Sequence, residues 1–117
     1  MVFTGDTGPC QALEDLAMGA DLLVGELIDA DIILNHIRSQ NPEISDQALQ
    51  KWRQHFTEHH LTPEELGELA SRAGVKQLVA VHIPFITKSS DEDAKYVSRI
   101  SAKFAGSIMI SEDLAEY

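Results

Sequence analysis

Between Thr62 and His82 the apolar positions change period once. Leu66, Leu69, Ala70 and Ala73 recur at spacings of three and four, which predicts a helix with one buried stripe. Leu78 to Val81 is an unbroken apolar run, as expected of a strand covered on both faces. The punctuation agrees with both. Thr62 is a good N-cap, Pro63 suits the first helical position, and Glu65 stands where a capping box closes. Gly74 offers the left-handed stop that ends a helix. His60 precedes this helix and His82 ends the strand after it, so the unit delivers two imidazoles toward one edge of a sheet.

The rest of the chain repeats the alternation. Val2-Phe3-Thr4 reads as a strand, Gly5-Asp6-Thr7-Gly8-Pro9 as a turn, and Leu13, Leu16, Ala17 and Ala20 as the buried stripe of a helix. Asp21 to Glu26 is a second strand, ending on a carboxylate. A short helix over 29–39 is centred on Ile33, Leu34 and Ile37 and broken by Asn41-Pro42. Ser45 caps a helix to about Glu58, with Leu49, Trp52 and Phe56 turned inward. After a loop from Pro84 to Ser89, Ser90-Asp91-Glu92-Asp93 opens an acidic helix start, which the macrodipole favours. That helix carries Val97, Ile100, Ser101 and Phe104 on one side and stops near Gly106. Ser107 to Ile110 is the last strand, and an acidic tail follows. No internal repeat, low-complexity segment or linker interrupts residues 1–117, which read as a single domain.

Alternating strands and helices predict an α/β fold with a largely parallel sheet. Three strands are apolar on both faces, yet so short a chain has few helices to cover them. Four strands of about five residues make a face of roughly 300 Å². Leaving it wet forgoes about 8 kcal/mol at the usual transfer coefficient. A covering partner is expected over an open face of residues such as Leu22, Val24, Leu78, Ala80 and Ile108.

Charge and cysteine usage narrow the classes. Nine basic against nineteen acidic residues leave a formal net charge of −10, and Lys51, Arg53, Arg72 and Lys76 are too scattered for a phosphate-binding patch. The single cysteine excludes an internal disulfide and fits a reducing compartment. No stretch has the roughly 20 apolar residues of a spanning helix, and Asp6 and Gly8 interrupt any signal-peptide pattern, so a cytoplasmic location is expected.

Each residue that could do chemistry also has a purely structural reading. Asp6 projects from a strand-to-helix turn, where aspartate also serves as a turn or capping residue. Glu26 ends a buried strand, where a solvated carboxylate is equally at home. His82 fits a ligand or a satisfied core histidine, and His60 a catalytic group or a helix cap. Cys10 begins a helix, but no histidine or second cysteine stands at motif spacing, and it reads as inert. The Gly5-to-Gly8 turn can alternatively cradle a small anion, although the Gly-x-Gly-x-x-Gly and P-loop patterns are absent. So are His-Glu-x-x-His, Cys-x-x-Cys and Gly-x-Ser-x-Gly, which disfavours zincins and serine hydrolases of the common α/β kind.

Taken together and in order, Phe3 to Pro9, Gly19 to Glu26, His60-Leu61-Thr62 and Leu78 to His82 resemble the C-terminal half of a metallo-β-lactamase-fold hydrolase. The nearest branch is that of ribonuclease Z and related phosphodiesterases, and the resemblance covers nearly the whole chain. It implies half of an αββα sandwich, a small mainly parallel sheet with helices on one face. It implies a pair of metal ions, usually zinc, with Asp6 as the bridging carboxylate and His82 as the last histidine ligand. Glu26 and His60 become a couple in which the carboxylate orients an imidazole that protonates the leaving group.

The departures from that pattern shape the functional expectation. The family's His-x-His-x-Asp-His motif occurs nowhere in these residues, so two ligands stand where zinc needs three or four. Leu61 replaces the usual serine, Pro84 follows His82 at a different beat, and no basic arm is present to hold RNA. The first expectation is therefore a metal-dependent hydrolase of phosphoesters or other esters, inactive as this chain alone and completed by a separate N-terminal half. The second is a non-catalytic interaction module that homodimerises through its open sheet face. The third is an unrelated α/β domain holding a small anion at Thr7-Gly8.

Overall fold

A computed structural model describes residues 1–5, 7–83 and 90–111, with only the backbone of His82 and Ile83. Asp6, the loop read from Pro84 to Ser89 and the acidic tail fall outside the described residues. The elements are β1 (Val2–Phe3), α1 (Gln11–Ala17), β2 (Leu22–Ile28), α2 (Ala30–Gln40), α3 (Asp46–His59), α4 (Pro63–Ala73), β3 (Gln77–Ile83), α5 (Ser90–Ser101) and β4 (Ser107–Ile110). The strands form one parallel sheet in the order β1-β2-β3-β4.

The α4 unit forms as its residues dictate. Thr62 Oγ1 accepts from the Glu65 N–H while the Glu65 carboxylate accepts from the Thr62 N–H, a closed capping box. Gly74 ends the helix at φ 67°, in the left-handed region. Leu66, Leu69, Ala70 and Ala73 are all buried, as their spacing predicts.

Register sorts the sheet into two faces. Val2, Leu23, Leu78 and Ile108 stand side by side across the four strands, and so do Phe3, Val24, Val79 and Met109. The first row faces the helices: Leu23, Leu27, Leu78 and Ala80 are buried in one cluster with Leu66, Ala70, Tyr96 and Ile100. Gly25, on the same face, lies beneath the Leu66 side chain. The opposite face corrects one expectation. Leu78, Ala80 and Ile108 belong to the covered side, and the open side is made by Phe3, Leu22, Val24, Val81 and Met109 around a buried Val79. Phe3 is 66% exposed.

Three further expectations are overturned. Leu16 and Trp52, assigned inward, are exposed, Trp52 at 46%. Of α3, only Leu49 is buried, because α3 packs mainly on α2 as a hairpin rather than on the sheet. Glu26 does not end its strand, since β2 continues to Ile28 in register with Ile83. Among the described residues no helix is long and apolar enough to cross a membrane.

Candidate active site

A parallel sheet gathers its strand-to-helix turns at one edge, where α/β folds place their sites. Here that edge collects the turn after β1, the end of β2, the end of β3 and the residues between α3 and α4. Two contacts draw them together. The Ile28 N–H donates to the Leu61 carbonyl at 2.8 Å, tying the end of β2 to the residue after His60. On the other side, Gly8 presses on the carbonyl of Glu58, so closely that a β-carbon there would overlap its oxygen. Only glycine allows this approach.

Between these contacts lies a cleft of about 520 Å³ lined by Thr7, Gly8, Pro9, Cys10, Glu58, His59 and His60. His60 is half-buried and donates its N–H to Phe56, closing the last turn of α3. Glu26 is half-buried too, and its N–H donates to Thr4 Oγ1 at 3.1 Å, so the residue after β1 is laced to the strand bearing Glu26. At the backbone level the structure thus brings Thr4, Gly8, β2 and His60 to one edge. His82 sits in β3 opposite Leu27, one register position beyond the Glu26–Val81 pair. The Asp6 and His82 side chains lie outside the description, and among the described residues no three of histidine, cysteine, aspartate and glutamate are grouped to hold an ion. Zinc takes three or four protein donors. The two donors assigned to this chain do not complete such a site.

Directly after β2 is an arrangement that sequence reasoning missed. Asp29, only 9% exposed, caps α2 through Oδ1, which accepts from the Asp31 and Ile32 amides. Its Oδ2 accepts from the Tyr96 hydroxyl at 3.0 Å and from Arg99 at 3.2 Å. Arg99 also grips Glu64 with two bonds, of 2.6 and 2.9 Å. Burial, then the Asp29 charge, pushes the Tyr96 phenol well above its ordinary pKa, which keeps it a neutral donor. The Arg99 guanidinium holds the Glu64 carboxyl below the usual carboxylate range. The cap at Asp29 was legible as an aspartate before a helix. Its partners, 67 and 70 positions away, were not.

No family model matches the chain. Ribonuclease Z of Mycobacterium tuberculosis strain H37Rv is 32% identical over 115 residues, covering 97% of this chain and 37% of the relative. Ribonuclease Z of Mycolicibacterium paratuberculosis is 33% identical, covering 97% of this chain and 36% of the relative. The metallo-β-lactamase fold protein YhfI from Bacillus subtilis superposes with a TM-score of 0.64 at 20% identity, over 95% of this chain and 36% of its own. The fold class these comparisons define is the metallo-β-lactamase fold, of which the chain carries a C-terminal part. Within that class its sequence is similar to the mycobacterial ribonucleases Z, of whose length it spans 36–45%.

Proposed function

We propose that this chain supplies the C-terminal half of the active site of a metal-dependent hydrolase acting on phosphoesters or other esters. The observation that carries the reading is the convergence at one sheet edge of Gly8, β2 and His60, through Gly8 on Glu58 and Ile28 on Leu61. Similarity to ribonucleases Z along 97% of the chain supports it. In this reading Asp6 and His82 are metal ligands, with zinc the ion they suit, and a complementary segment bearing His-x-His-x-Asp-His adds the missing donors. A bound ion supplies an activated water near neutral pH. His60 donates the proton that the leaving oxygen needs, and Glu26 orients its imidazole. With a net charge of −10 and no basic arm, the chain suits a small ester better than a nucleic acid. The cytoplasm, where the lone Cys10 stays reduced, is the compartment that fits.

The open face of Phe3, Leu22, Val24, Val81 and Met109 is where the complementary segment packs, and without it a second copy takes that place. The test mixes the chain with a segment carrying His-x-His-x-Asp-His and follows hydrolysis of bis(p-nitrophenyl) phosphate. Alone, the dialysed chain should keep clearly less than one zinc ion and show no turnover. The zinc-loaded mixture should turn over, and His60→Ala should lower kcat far more than it raises KM. A mixture whose turnover is indifferent to His60→Ala defeats the assignment.

A further inference from the structure

We propose a second metal site on the rim of the candidate active-site cleft, which His59 also lines: His55 and His59 at the end of α3 form a two-histidine clamp for a divalent transition metal of the copper, nickel or zinc type. The two residues stand at i and i+4, so their side chains emerge from one helix face one turn apart. Helical histidines at this spacing can chelate one ion. Both residues are exposed and open to solvent ions.

The ring separation fits chelation. With metal–nitrogen bonds of roughly 2.0–2.1 Å, two imidazoles sharing an ion place their ring centres about 4.5 Å apart at a right angle, and about 5.2 Å apart at a tetrahedral one. The observed separation of the His55 and His59 rings is 4.9 Å, between the two. Electrostatics point the same way. The pair stands at the C-terminal end of a helix, where the macrodipole favours a cation, on a chain of formal net charge −10. Two protein donors leave the remaining positions to water, so the ion is held reversibly and lost on dialysis. Hard cations that need oxygen ligands are excluded by the donor type.

The structure also supplies a reporter. Trp52, the only tryptophan of the chain, has its ring centre 6.1 Å from that of His55. An open-shell ion held at His55 lies close enough to quench it. The experiment titrates the metal-free chain with copper(II), nickel(II) and zinc(II) while Trp52 emission is recorded. Copper and nickel should quench, saturating at one ion per chain with copper the tighter, and EDTA should reverse the quenching by removing the ion. His55→Ala and His59→Ala should each weaken copper binding about tenfold or more, because a lone imidazole lacks a partner held at fixed distance. His36→Ala, on α2, should change nothing. As a measurement on the unmodified chain, zinc should protect His55 and His59 together from carbethoxylation by diethyl pyrocarbonate, read by mass spectrometry. Unquenched emission at about tenfold excess copper overturns the proposal. So does quenching that survives both substitutions, or protection of one imidazole without the other.

Discussion

At Arg99 one side chain serves two carboxylates that lie far apart in the chain. Its bonds to Asp29 and Glu64 tie α5 to the start of α2 and the start of α4. Glu64 has its folded pKa below the ordinary carboxylate value, and Arg99 is the largest cause. A depressed pKa contributes stability that is present above the unfolded value and lost as pH falls through the folded one. Arg99→Gln should therefore destabilise the chain at neutral pH, and its deficit relative to the parent should shrink on acidification below the usual carboxylate range. Both groups of the Glu64 pair are more than a third exposed, so that part of the effect is on the order of 1 kcal/mol and falls with added salt. Urea unfolding across a pH series measures it, and a deficit that stays constant on acidification contradicts the assignment. Little of this pair was visible in the sequence. Arg99 and Glu64 each read as ordinary helix-surface charges, and only the packing of α4 on α5 makes them partners.

Among the elements, the turn from β1 to α1 and the end of α3 are joined where Gly8 meets Glu58. Both sides of that contact are backbone, so neither can yield as a flexible side chain does. Gly8→Ala should push the 5–9 turn away from α3, at a cost of about 1–3 kcal/mol by analogy with overpacked cores. The expected reading is a lower urea midpoint with an unchanged slope, together with lost turnover in the reconstituted mixture. Unaltered stability would mean that the turn and α3 do not touch in this way. The strands, the α4 capping box and the Gly74 stop were legible because local chemistry alone determines them. The inward assignment of Trp52 and Phe56 was not correct for the tryptophan. Spacing on α3 is genuinely helical, but the helix leans on α2, and its second apolar edge stays at the surface. Likewise, Glu26 was placed at a strand end by composition, whereas pairing with β3 carries β2 on to Ile28. Asp6 and His60 were singled out separately by the sequence; the approach of Gly8 to the end of α3 depends on a need for space that is visible only in three dimensions.

For the molecule as a whole, the decisive feature is a sheet with helices packed on one side. Across the other run Phe3, Val24, Val79 and Met109 in one register row, flanked by Leu22 and Val81. Burial of such a face favours association, whereas a net charge of −10 on each copy opposes it. The two effects differ in their response to salt. Screening weakens the repulsion between copies but leaves apolar contact intact, so added salt should drive the isolated chain toward a two-fold dimer. An interface held by ion pairs would respond in the opposite sense. Sedimentation equilibrium across a salt series reads the difference directly. Val24→Asp places a charge in the middle of the row and should hold the chain monomeric at every salt concentration, without touching the helix-covered core. Because the complementary segment and the second copy are assigned to the same face, adding that segment should dissolve the dimer in proportion to the hydrolytic activity gained. A chain that is monomeric throughout, or a dimer that persists while activity appears, would show that the open face is not the surface the two halves share.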